Sequence, residues 1–228
     1  MFLLEKPIRK ANEAIERMAS ESKQSIGFSH VDLRNFVGMA AILIPILLFF
    51  GGLLWPKCPI VESSISAYFG TELRGIFVGL LLAISFFFFA YGYKKWDSKL
   101  TNGTAILSLM IALFPSTSKE SWIQLVHNLS AITFFGIMAY FCLVLFKKNK
   151  GKKTEKKIRR NRVYTRCGWI ILVCVVLLIG NYFLCIWGGI DLSDYKVTLI
   201  LESIALWAFG LSWLVKSETI SWLLADND

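Results

Sequence analysis

The apolar residues of this chain gather into long blocks divided by short polar segments. Residues 35–56, 75–93, 100–118, 121–146 and 167–190 contain no Asp, Glu, Lys or Arg, and residues 197–215 contain Glu202 alone. A bilayer core about 30 Å thick takes about 20 apolar residues in a helix. Backbone groups in hydrocarbon must pair within their own segment, so each block reads as a helix. The pattern predicts an all-α polytopic membrane protein, a bundle of six transmembrane helices spanning about 36–55, 75–93, 100–115, 122–146, 168–188 and 197–215. The third is the least apolar. Thr101, Asn102, Gly103 and Thr104 make its start polar, and Pro115 ends it.

The polar segments set the orientation. Of 25 Lys and Arg, all but Lys57, Arg74, Lys119 and Lys196 fall on one side of the six spans. Lys and Arg favour the cytoplasmic side, which places both termini there, in the cell membrane. Residues 1–34 form a cytoplasmic N-terminal segment, 35–217 the transmembrane domain and 218–228 a cytoplasmic tail. Within the first, Ile8, Ala11, Ile15 and Met18 recur at helical spacing, as in an amphipathic helix lying on a membrane surface. It lacks the short apolar core and small-residue cleavage site of a signal peptide.

Composition narrows the class. A chain of 228 residues that is 55% hydrophobic is not disordered, nor a coiled coil, nor a disulfide-rich secreted scaffold. The net charge of +9 would raise nucleic acid as a partner, but residues 147–166 alone hold seven Lys and four Arg against one Glu. The rest of the chain is close to neutral. That segment lacks interleaved aromatics and is expected to meet anionic lipid head groups, at about 1 kcal/mol per basic residue near the surface, and not nucleic acid.

Neither a metal nor a cofactor is expected. The two histidines, His30 and His127, fall on opposite sides, which excludes a three-histidine zinc site. No Walker A sequence and no strand-based dinucleotide motif is present. The Arg/His constellation of membrane lipid-phosphate phosphatases is also missing. None of the five cysteines forms a C-x-x-C pair. Cys58 and Cys185 both fall near the outer face, where a disulfide is open to them.

Charge within a span is costly and marks a functional candidate. Glu202 lies near the outer start of the sixth span, His127 near that of the fourth, and Asn181 near the outer end of the fifth. The first outer loop adds Ser63, Ser64, Ser66, Tyr68, Glu72 and Arg74, and Lys119 lies at the same depth. Three roles fit. These groups could hydrogen-bond one another and fix the bundle. They could bind a lipid head group or small ligand at the outer leaflet, with Arg74 and Lys119 facing phosphate and Glu202 an amine. Or they could hydrolyse lipid, with Ser64 or Ser66 as nucleophile, His127 as base and Glu202 orienting it. A small-solute transporter is a further alternative. The favoured role is non-enzymatic and lipid-interacting. Gly75, Gly79 and Ala83 make a small-residue ladder on the second span that could pack within the monomer or between copies in a homo-oligomer.

The stretch Ser64-Ile65-Ser66-Ala67-Tyr68, leading through Arg74 into the second span, resembles the first outer loop of a bacterial family of six-span integral membrane proteins of uncharacterised role. Residues 127–134, 160–169 and 202–216 resemble that family's fourth, fifth and last spans. More distantly the chain is similar to the DRAM-like proteins and the eukaryotic membrane proteins that assist GPI-lipid remodelling. The resemblance covers roughly residues 35–217 and implies a six-helix bundle with the outer loop folded over it, and lipid-linked biology. Its matching residues are Ser64, Ser66, Arg74, His127 and Glu202.

Overall fold

A computed structural model describes residues 30–54, 61–91, 98–148 and 154–220. The expected amphipathic helix in residues 1–29, the tail beyond residue 220, Cys58 and residues 149–153 of the basic segment lie outside the described residues.

The described residues form six α-helices and no strands: α1 (His30–Leu54), α2 (Arg74–Tyr91), α3 (Ser98–Leu113), α4 (Ser121–Leu143), α5 (Glu155–Gly188) and α6 (Val197–Lys216). Five of them are long and apolar enough to cross a membrane. The exception is α3, the segment whose start reads as polar. Its 16 residues rise about 24 Å. Thr101, Thr104 and Ser108 turn inward, whereas Asn102 is exposed. Ser108 Oγ donates to the Leu81 carbonyl at 2.9 Å, and Ser85 Oγ of α2 donates back to the Ala105 carbonyl at 2.7 Å. Thr104 donates to the Leu100 carbonyl in its own helix. Such bonds average about 0.6 kcal/mol each between membrane helices.

Each helix packs against the next in sequence, and α6 returns to pack against α1, so the six close into a ring. The closing contact is between glycines. A Cβ on Gly210 would stand 2.7 Å from the Gly38 carbonyl oxygen, and a Cβ on Gly38 would stand 3.0 Å from that of Gly210. Only side chains of hydrogen allow the backbones to approach this closely. Beside this crossing, the Trp207 indole donates to the Ile42 carbonyl, in the turn that Pro45 loosens. The ring's interior is filled by aromatics. Phe88 and Trp213 meet edge to face at 5.5 Å, and Phe134, Phe141 and Phe209 pack around Phe88. By contrast, Gly75 and Gly79 face open space, so the ladder on α2 serves no contact within the monomer among the described residues.

Two helix starts differ from the sequence pattern. The first helix begins at His30, ahead of its apolar block. The fifth helix starts at Glu155, well before its apolar block, with Thr154 accepting from the Lys157 amide as N-cap. Lys and Arg are good helix formers, so the second half of the basic segment continues the helix, and its Arg160 and Tyr164 meet the ends of α1 and α6.

The ring closure gives a first prediction. Gly210→Ala should destabilise the protein by about 1–3 kcal/mol through overpacking against backbone. Gly79→Ala should leave stability unchanged or raise it, since Ala is the better helix former. Thermal unfolding of the purified protein in detergent reads both.

Candidate functional site

At one end of the ring, residues 61–73 fold over the helices. A short 3-10 turn, Ser66–Gly70, sits at the centre of this loop. Tyr68 is its wedge, with none of its surface exposed, and its phenol oxygen accepts from the Glu62 amide at 3.4 Å. Thr71 closes the turn by donating its hydroxyl to the Tyr68 carbonyl at 2.9 Å.

The loop is tied down by α6. The first amides of a helix have no partner within it, and Lys196, which precedes α6 in a left-handed conformation, offers no side-chain cap. The Ser63 carbonyl accepts from the Leu199 amide at 3.0 Å instead. One turn further on, Glu202 reaches back. Its Oε2 accepts from the Ile65 amide at 2.7 Å, and the Ser66 amide faces the same carboxylate. The two segments thus satisfy one another's unpaired backbone groups. Hydrogen bonds to a charged group are worth about 1.5–3 kcal/mol, so Glu202 is the stronger of the two ties. Among the described residues, no cationic side chain forms an ion pair with it.

His127 lies beneath the loop on α4, with only 2% of its surface exposed. Its Nδ1 is 2.7 Å from the Phe114 carbonyl oxygen. A carbonyl only accepts, so this contact assigns the proton to Nδ1, and a neutral ring then keeps a lone pair on Nε2. The Phe114 carbonyl is free for this because α3 has ended before Pro115.

Ser66, His127 and Glu202 line one cavity of about 50 Å³, whose other walls include Phe77, Ile111, Phe134 and Phe135. No hydrogen bond joins His127 to a serine or to Glu202 among the described residues. The Phe114 carbonyl takes the place that an orienting acid holds in a catalytic triad.

The remaining candidates lie around this centre. Ser64 Oγ accepts from the Ala67 amide at 3.0 Å and bonds Ser66 Oγ at 3.2 Å. Ser63 serves through its carbonyl. Arg74 is exposed and stacks over Phe69, 4.0 Å from the ring centroid. Glu72 and Lys119 are exposed. Asn181 stands apart, donating to Thr198 Oγ1 at 3.2 Å. Sequence reasoning missed the two backbone partners, the Ile65 amide and the Phe114 carbonyl. Only Pro115, which frees the second, gave any signal.

No protein-family model, curated protein or solved structure matches this chain.

Removing the tie should release the loop. In Glu202→Leu the Ile65 amide should exchange with solvent roughly 10- to 100-fold faster, the loss of one charge-assisted bond. Glu202→Gln keeps an acceptor and should show a smaller change. Hydrogen exchange of the peptide covering residues 61–73 measures both.

Proposed function

We propose that the chain is a six-span membrane protein with both termini on the cytoplasmic side, and that its cavity receives the primary ammonium of an ethanolamine-type lipid head group from the outer leaflet. The observation that carries this is the set of three acceptors around one small space. Glu202 presents a carboxylate, His127 Nε2 a lone pair and Ser66 a hydroxyl oxygen, which together suit three N–H donors. An ammonium would also give Glu202 a counter-charge that no cation among the described residues supplies in this apolar setting. Phe77, Phe134 and Phe135 add aromatic surface of the kind that attracts cations. The volume of about 50 Å³ is several times the roughly 10–15 Å³ that one water needs. It suits an ammonium with its adjoining methylene and leaves the phosphate outside, toward Arg74 and Lys119. The role is that of a lipid-binding accessory protein, in keeping with the resemblance to membrane proteins of lipid-linked biology.

A second reading is lipid hydrolysis with Ser66 as nucleophile and His127 as base. It is favoured by the Nδ1 contact to Phe114, which leaves Nε2 free to take a proton.

Lipid that co-purifies with the protein tests the first reading. The parent should retain ethanolamine lipid, seen by mass spectrometry, and Glu202→Gln and His127→Phe should lose most of it while remaining folded. Equal retention by all three would refute the ammonium site. Labelling of Ser66 by a fluorophosphonate, lost in Ser66→Ala, would instead support hydrolysis.

A further inference from the structure

The opposite end of the ring holds a second cavity, of about 150 Å³ and of contrary chemistry. Arg34 of α1, Lys157 and Arg160 of α5 and Lys216 of α6 line it, with Asn161 and Tyr164 between them. These cations are not a loose surface cluster. Arg34 is held by donating to the Tyr91 hydroxyl at 3.2 Å and to the Lys216 carbonyl at 3.4 Å. Lys216 Nζ donates to the Phe146 carbonyl at 3.2 Å and lies 5.5 Å from the centre of that ring. Four helix ends therefore converge to fix two of the charges, and the helical start of α5 carries the other two.

Among the described residues, one carboxylate lines this space. Glu218, just past α6, pairs with Arg160. It does so from a left-handed backbone conformation, φ 66°, which costs a non-glycine residue roughly 1–2 kcal/mol. The turn is held there by Ser217, which donates to the Leu214 carbonyl, and by the bond from Thr219 to Asn35. The basic cavity thus already accepts an oxyanion, supplied by the chain itself from a strained position.

We infer that this cavity is a binding site for a phosphoryl oxyanion, with Glu218 as a resident carboxylate that the ligand displaces from Arg160. Among the described residues Arg34, Arg160 and Lys216 outnumber the one carboxylate that lines the space, and two guanidinium groups suit the paired oxygens of a phosphate. The site lies where the apolar walls of α5 and α6 give way to charge, the depth of phospholipid phosphates. A lipid phosphodiester and a free phosphate share this chemistry. The cavity gives the broad attraction expected of residues 147–166 a defined location, to which Arg34, Phe146, Lys216 and Glu218 contribute from outside that segment. It is independent of the ammonium site at the other end.

The test uses the full chain in phosphatidylcholine nanodiscs, with thermal unfolding followed by tryptophan fluorescence. One arm adds phosphatidylglycerol to the bilayer and the other adds inorganic phosphate to the solution. Stabilisation in the first arm alone identifies a lipid head group. Stabilisation in the second identifies a soluble phosphoryl ligand. The paired variant Lys157→Gln with Arg160→Gln should weaken the stabilising probe about tenfold or more, as expected for lost charge-assisted bonds. The pair Arg162→Gln with Arg166→Gln removes the same charge from the exposed face of the same helix, outside the cavity, and should have little effect. Glu218→Gln removes the competing carboxylate and should tighten binding. Melting without either probe shows that each variant is folded. Equal weakening by the two pairs would mean diffuse attraction and overturn the site. So would a Glu218→Gln protein that binds no tighter, or a parent that neither probe stabilises.

Discussion

The bond from the Ile65 amide to the Glu202 carboxylate is the constraint on which the loop-covered end of the ring depends. A carboxylate near the start of an apolar helix must find donors, and the nearest are amides of the preceding loop. A 3-10 turn beginning at that point has unpaired amides of its own. Each need answers the other, and the Ser63 carbonyl completes the exchange by capping α6. The loop becomes a roof rather than a tether, and Ser66 is carried over His127. Glu202 holds the roof through Oε2 while the imidazole is held from below by the Phe114 carbonyl, and both residues border the cavity. Acceptors thereby outnumber donors in a small apolar space.

The ring of helices keeps this end apart from the other. Its closure between α1 and α6 relies on backbones in contact at Gly38 and Gly210, and its interior is filled with aromatic rings from Phe88 to Trp213. Two of the spaces that remain lie at opposite ends and differ in chemistry: acceptors around Glu202 at one, cations around Arg160 at the other. A zwitterionic phospholipid carries both complementary charges, an anionic lipid or phosphate only one. The two ends therefore suit groups of opposite charge.

Much of this was legible in the chain. Charge-free blocks locate the helices, because hydrocarbon tolerates little else, and α3 was recognisably the odd one. His127, Glu202 and the serine loop were singled out as costly polar groups at one depth, and the structure brings Ser66, His127 and Glu202 to one cavity. The rest required three dimensions. The partners of Glu202 and His127 are backbone groups, which every residue possesses and no motif advertises. Gly38 and Gly210 are far apart in sequence and only their meeting gives them a role, whereas the more regular ladder of Gly75 and Gly79 faces open space. The helical start of α5 was hidden because its charge reads equally as loop or as solvated helix. Arg34 and Lys216, seemingly markers of orientation, are buttresses of a cavity.

The central claim is that three acceptors under the loop select a primary ammonium. Binding of short-chain phosphatidylethanolamine and of its N-trimethyl counterpart, phosphatidylcholine, to the parent protein tests it most directly. The two lipids carry the same phosphate, so contacts to that group cancel in the comparison. The ethanolamine lipid should bind about tenfold or more tightly, since the choline group offers no N–H donor and leaves the acceptors unpaired. Equal affinity for the two would contradict the account.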